Sequence, residues 1–119
     1  MTRAARLILI ATVPMALAIA VATLMPMPAN IPGGDKLQHM LAFGILAFPT
    51  ALIRPRWAIW SFLAVVAYGG LIEVIQPFFN RTADLADLRA DGIGAAVGVA
   101  IGILLHPLVQ RLRRRPAAA

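Results

Sequence analysis

The chain of 119 residues contains no cysteine, a single serine, a single lysine and a single glutamate. Without cysteine there is no disulfide framework, no thiolate metal site and no cysteine nucleophile. The lone serine, Ser61, sits in an apolar stretch and fits no nucleophile elbow. Charge is scarce as well: 13% of the residues are Asp, Glu, Lys or Arg, against roughly 25% in an ordinary soluble domain. A small soluble domain leaves much of its surface in water, and 11 basic plus 5 acidic residues cannot clothe it. The formal net charge of +6 raises the question of nucleic acid. No basic stripe with interleaved aromatics and no nucleic-acid motif is present, so that partner is excluded. What the chain has in abundance is apolar, 61% of its residues, with a mean hydropathy of +0.82. The composition is that of a single-domain membrane protein, whose partner is the lipid bilayer.

Four apolar runs are long enough to cross about 30 Å of hydrocarbon as helices of about 20 residues. They cover 7–25, 37–53, 57–75 and 92–109. Pro14 interrupts the first, and Glu73 is the only charge in the third. The period-2 alternation of a membrane barrel is absent. The expected fold class is therefore all-α, a polytopic membrane protein of four transmembrane helices. The segment 77–91 is expected to form an outer loop with a short surface helix, and 110–119 a basic tail.

Orientation follows from Lys and Arg in the short flanking loops. With both termini in the cytoplasm, Arg3, Arg6, Arg54, Arg56, Arg111, Arg113, Arg114 and Arg115 lie inside, while Lys36, Arg81 and Arg89 lie outside. Trp57 then anchors the start of the third span at the inner interface. The sequence Ala20-Val21-Ala22 after Arg3, Arg6 and an apolar stretch also matches a cleavable signal peptide. The second span begins outside in either case.

All the acids fall on the other side: Asp35, Glu73, Asp84, Asp87 and Asp91. Glu73 follows Trp57 by 16 residues, a rise of about 24 Å, which brings it level with His39 and Asp91 at the outer interface. Ionisable groups at that depth are costly in lipid and mark functional sites by default. Asp35 and His39 are spaced i,i+4, and Glu73 and Gln76 i,i+3, so each pair shares a helix face. Pro77 is expected to end the third span and Asn80-Arg81-Thr82 to form a turn. Gly94, Gly98 and Gly102 form a doubled G-x-x-x-G, a seam for close helix packing within the chain or in a homo-oligomer.

Three strings occur in order: Asp35-Lys36-x-x-His39-x-x-x-Phe43, Gly70-x-x-Glu73-x-x-Gln76-x-x-Phe79, and Arg81-x5-Asp87-x3-Asp91-x-x-Gly94-x-x-x-Gly98. Together they resemble the VanZ-like family of small multi-span bacterial membrane proteins, named for a member associated with low-level teicoplanin resistance. The resemblance covers about residues 35–102 and implies a multi-pass protein of the bacterial inner membrane with a cell-envelope role. Asp91 stands where many members have Asn. No settled reaction comes with the resemblance, and no cofactor is named by it or by the residues.

The polar residues admit several readings. As a structural network, Arg81 pairs with an acid and His39 with Asp35 or Glu73, fixing how the helices dock. As a site for a lipid-linked or glycopeptide-related ligand, His39 and Glu73 form an acid/base pair. Arg81 and Lys36 then hold a phosphate or carboxylate, with Asp35, Gln76, Asp87 and Asp91 around them. As a metal site, His39, Glu73, Asp87 and Asp91 would have to converge from three helices without any short metal motif, so no metal ligands are assigned. His106, far from any acid, is expected to be an ordinary interface histidine.

Overall fold

The computed structural model describes residues 1–24, 34–79 and 85–114. Four helices follow one another: α1 (Arg3–Leu24), α2 (Gly34–Ile53), α3 (Ala58–Ile75) and α4 (Leu85–Arg114). Two 3₁₀ turns lie between them, at Pro55–Trp57 and Gln76–Phe79. Among the described residues there is no strand, and all four helices are long and apolar enough to cross a membrane. The chain is an all-α membrane protein, as its composition requires.

The helices have 22, 20, 18 and 30 residues. At 1.5 Å per residue they are about 33, 30, 27 and 45 Å long, against about 30 Å of hydrocarbon. The excess in α4 sits at both ends and differs from the sequence expectation. Leu85 to Asp91 are not a separate surface helix but the first turns of α4 itself, and Arg111 to Arg114 are its last turn. No proline lies between Leu85 and the span, and a lone glycine such as Gly92 costs a helix interior only about 1 kcal/mol, so nothing in the sequence stops the helix there. Pro77 does act as expected: α3 ends at Ile75 and the chain passes into a 3₁₀ turn. The Asn80-Arg81-Thr82 turn lies outside the described residues.

The direction of each helix follows from its contacts. Tyr68 and Gln76 of α3 bond Ala16 and Thr23 of α1, so those two run parallel. Ser61 bonds Ala47, and a Cβ on Gly69 would touch Phe43, so α3 runs antiparallel to α2. The pairs Met40–Gly94, Gly44–Gly98 and Ala51–Gly102 make α2 and α4 parallel. Ala4, Arg54, Arg56 and Arg113 consequently meet at one end of the molecule. His39, Asp87 and Asp91 meet at the other.

A continuous core of Ile19, Phe43, Leu46, Ala47, Val65, Ile72 and Ala95 joins the four helices. The outward faces are apolar too, with Leu104, Trp60 and Val74 all exposed, because lipid rather than water covers them. Three polar side chains that enter the bundle bond backbone carbonyls of a neighbouring helix. Ser61 Oγ donates to Ala47 O (3.1 Å), Gln76 Nε2 to Thr23 O (3.1 Å) and the Tyr68 hydroxyl to Ala16 O. Such bonds act as interhelical glue where the hydrophobic effect gives none.

The closest approach is between α2 and α4. A Cβ added at Gly94 would lie 2.1 Å from Met40 O, and one at Gly98 would lie 2.2 Å from Gly44 O. At Gly102 it would meet Ala51 Cβ at 2.8 Å. The doubled G-x-x-x-G is thus occupied within the chain by the α2 backbone. Oligomerisation through Gly94, Gly98 and Gly102 would require α2 to give up its place. The seam yields a test with an internal control. Gly98→Ala should lower stability by about 2 kcal/mol or more, since the backbones must separate to admit the methyl group. Gly92→Ala, where nothing lies within 4 Å, should be neutral or stabilising by up to about 1 kcal/mol from helix propensity. Thermal unfolding of both variants in detergent, followed by circular dichroism, checks the contrast.

Candidate functional site

The seam sets the spacing of the residues one to two turns above it. Asp87 and Asp91, spaced i,i+4, share a face of α4 with Gly94 and Gly98. Lys36 and His39 precede Met40 and Gly44 on α2. With the backbones in contact, short carboxylates reach the facing ring. His39 Nδ1 lies 2.6 Å from Asp91 Oδ1, and His39 Nε2 lies 3.8 Å from Asp87 Oδ2. An ionised carboxylate only accepts, so Nδ1 is the donor whenever Asp91 is ionised. Lys36 Nζ, 3.7 Å from Asp87 Oδ1, closes the cluster at its rim.

The depth of these groups decides their chemistry. Asp91 is 1% exposed and His39 7%, whereas the Lys36 side chain is 44% exposed. A carboxylate buried to that degree is tolerated only with a hydrogen-bonding partner, which His39 supplies. Two residues that the sequence reading left out of the site hold this pair. Phe43, 1% exposed, stacks parallel to the His39 ring at 6.0 Å between centroids and fixes its plane. Gly69 of α3 leaves the space that the Asp91 carboxylate fills, since a Cβ there would come within 2.7 Å of Oδ2. Phe43 stands one turn after His39, the spacing of a helix face. Gly69 carried no signal beyond being a small residue in an apolar span.

The other expected members are distributed differently. Gln76, 1% exposed, turns its amide nitrogen to the Thr23 carbonyl in the last turn of α1, where no intrahelical N–H follows before the helix ends. It docks α3 on α1 and does not join His39. Glu73 has a buried carboxylate oxygen and lies within electrostatic reach of His39, but the ring's hydrogen-bonded carboxylate is Asp91. The hydrogen bond of the His39 ring thus runs across to Asp91 of α4 rather than to Glu73, and the expected pairing with Asp35 lies outside the described residues. Asp35 belongs to the first turn of α2, and its side chain is outside the described set; Arg81 and Asp84 are outside it entirely.

Among the described residues no group of three or more His, Asp or Glu side chains is arranged to hold a metal ion. Both ring nitrogens of His39 already face carboxylates, which leaves neither directed at an open position. His106, expected to be an ordinary interface residue, has a definite role instead. Its Nδ1 donates to Leu52 O at 2.6 Å, closing a carbonyl in the last turn of α2.

Removing the ring should therefore cost stability as well as any activity. His39→Ala leaves the Asp91 carboxyl buried without its partner and should destabilise the protein by about 3 kcal/mol. Asp91→Asn keeps an oxygen acceptor at the same place and should cost less than half as much, roughly 1 kcal/mol. Adding Asp91→Asn to His39→Ala should recover part of the loss, because a neutral amide is cheaper to bury unpaired than a carboxylate. Unfolding of the three proteins in mixed detergent micelles measures each effect.

No curated protein and no solved structure matches the chain. One family model does, that of VanZ/LLP1, over residues 3–106. The match takes in α1 to α3, α4 as far as His106, and every member of the polar cluster, and on it the chain belongs to the VanZ/LLP1 family.

Proposed function

We propose that this protein lies in the bacterial cytoplasmic membrane with both termini inside, and that its His39–Asp87–Asp91 cluster faces the outer surface. There it serves an accessory role in the cell envelope that alters susceptibility to glycopeptides such as teicoplanin. The observation that carries this reading is the burial of two carboxylates against one imidazole at a helix-end level, with Lys36 at the rim. Membership of the VanZ/LLP1 family agrees with it. The orientation is supported by the arginines that gather at the opposite end, as positive charge does on the cytoplasmic side.

A second reading, a membrane enzyme acting on a lipid-linked envelope substrate, draws on the same imidazole. In it His39 works as general acid or base and Asp91 orients it, while Glu73 contributes charge rather than the hydrogen bond. A third, a polar network that only fixes helix packing, uses the same bonds with no ligand.

Expression of the wild-type chain in a glycopeptide-sensitive host should raise the teicoplanin concentration needed to stop growth. His39→Gln and Glu73→Gln, matched to wild type in membrane abundance, should abolish the rise. If the effect survives in both variants at equal abundance, the cluster is structural. An enzyme would in addition leave a changed lipid-linked envelope component in the host, detectable by lipid mass spectrometry and absent with His39→Gln. The orientation has its own check. A reporter fused after Arg115 should behave as cytoplasmic and one inserted within 80–86 as external; the reverse pattern would refute the assignment.

A further inference from the structure

The end of the bundle opposite the carboxylates holds a cleft of about 290 Å³ between the start of α1, the α2–α3 connection and the last turns of α4. Three guanidinium side chains line it: Arg54 and Arg56 from the connection and Arg113 from α4. No acidic residue lines it, and the described acids Glu73, Asp87 and Asp91 lie near His39 at the other end. Asp91 precedes Arg113 on α4 by about six turns, roughly 33 Å. Several backbone carbonyls at this end are already taken. Arg54 N donates to Thr50 O (2.7 Å), Trp57 N to Arg54 O (2.9 Å) and His106 Nδ1 to Leu52 O (2.6 Å). The Arg54 guanidinium is held over the Trp57 ring at 5.3 Å, so it is positioned before any ligand arrives.

Gathered positive charge with no counter-charge from the cleft itself calls for an anion from outside. The wall narrows the choice, because Ala4, Ile53, Pro55 and Val109 make nearly half of the lining apolar. Free phosphate would gain nothing from that half. A phospholipid gains from both, with its phosphate on the guanidinium forks and its glycerol and upper acyl carbons on the aliphatic side chains. We propose that this cleft is a binding site for the phosphodiester headgroup of an anionic phospholipid, shared by the α2–α3 connection and α4, and distinct from diffuse attraction by the basic tail. The site does not depend on what the His39 cluster does.

The test is tryptophan fluorescence of the full chain carrying Trp60→Phe, in a neutral maltoside detergent, so that Trp57 beside Arg54 is the sole tryptophan reporter. The protein is titrated with dioleoylphosphatidylglycerol, dioleoylphosphatidylcholine or sodium phosphate. Phosphatidylglycerol should give a saturable change, half-complete at a concentration about tenfold below that for phosphatidylcholine. Arg56→Gln with Arg113→Gln leaves the Arg54–Trp57 contact in place and should raise that midpoint about tenfold or more, as expected for two lost arginine contacts. Arg111→Gln with Arg114→Gln removes the same charge from the same end outside the cleft, and should move it by less than about threefold. If the first pair proves unstable, Arg113→Gln alone against Arg114→Gln alone makes the same comparison at exposed positions. Equal shifts for the two sets would reduce the effect to diffuse attraction and overturn the proposal. So would saturation by inorganic phosphate in the phosphatidylglycerol range, which would mark a free-anion site, or equal midpoints for the two lipids.

Discussion

The His39–Asp87–Asp91 cluster is placed by the contact between the backbones of α2 and α4. Lipid offers helices no hydrophobic reward for meeting, so association rests on close packing and hydrogen bonds. Gly94 and Gly98 let α4 settle onto Met40 and Gly44 with no side chain between them. At that separation two aspartates, among the shortest ionisable side chains, reach a histidine on the facing helix. At the separation of an ordinary leucine-lined interface, 8–10 Å between axes, the same residues would leave a carboxylate stranded in lipid. The glycine seam and the carboxylate–imidazole cluster are therefore one structural unit, one half steric and the other electrostatic.

The seam reaches further in the other direction. Continued down both helices, the parallel register that pairs Gly44 with Gly98 brings His106 to the end of α2, where it closes the Leu52 carbonyl. Two histidines thus clamp the same helix pair near its two ends, one through a carboxylate and one through a carbonyl. Each satisfies a group that lipid cannot. The helix α3 joins by other means, with Ser61, Tyr68 and Gln76 each reaching a carbonyl of α1 or α2. Gly69 then opens the space that lets α3 close over Asp91. Among the described residues the buried polar side chains His39, Ser61, Gln76, Asp87 and Asp91 all sit at an interface between helices.

Much of this was legible in the sequence, and for identifiable reasons. Spans are set by the thickness of the bilayer, which the lengths of the apolar runs report directly. The acids and most of the arginines sort to opposite ends because alternating spans fix the end at which each connection lies. Pro77 stops α3 because it offers no N–H. The partner of His39 was not legible. The spacings i,i+3 and i,i+4 describe neighbours on one helix, and both expected partners, Asp35 and Glu73, came from arguments of local spacing or depth. Asp91 is 52 residues away, and its pairing depends on a parallel register that no local pattern encodes. The bond of Gln76 was hidden for a related reason: its spacing shows the face it shares with Glu73, whereas its bond reaches the Thr23 carbonyl of α1, 53 residues away. The start of α4 is not legible because 85–91 is polar like a surface element, although nothing within it breaks a helix.

Depth separates the roles within the cluster more sharply than residue type does. Asp91 and His39 are enclosed by Phe43 and Gly69, and both are less than a tenth exposed. A ligand arriving at the membrane surface would meet Lys36 and, through it, Asp87 before it met the imidazole. Changes at His39 and at Lys36 therefore act by different routes. The first loosens the joint between α2 and α4 and is felt along the whole seam. The second alters the charge presented at the rim and leaves the joint intact. Loss of function at His39 alone would not distinguish a chemical role from support of the helix pair. Loss at Lys36, an exposed position outside the packed core, would place the contact with a ligand at the rim, with the buried pair behind it as its support.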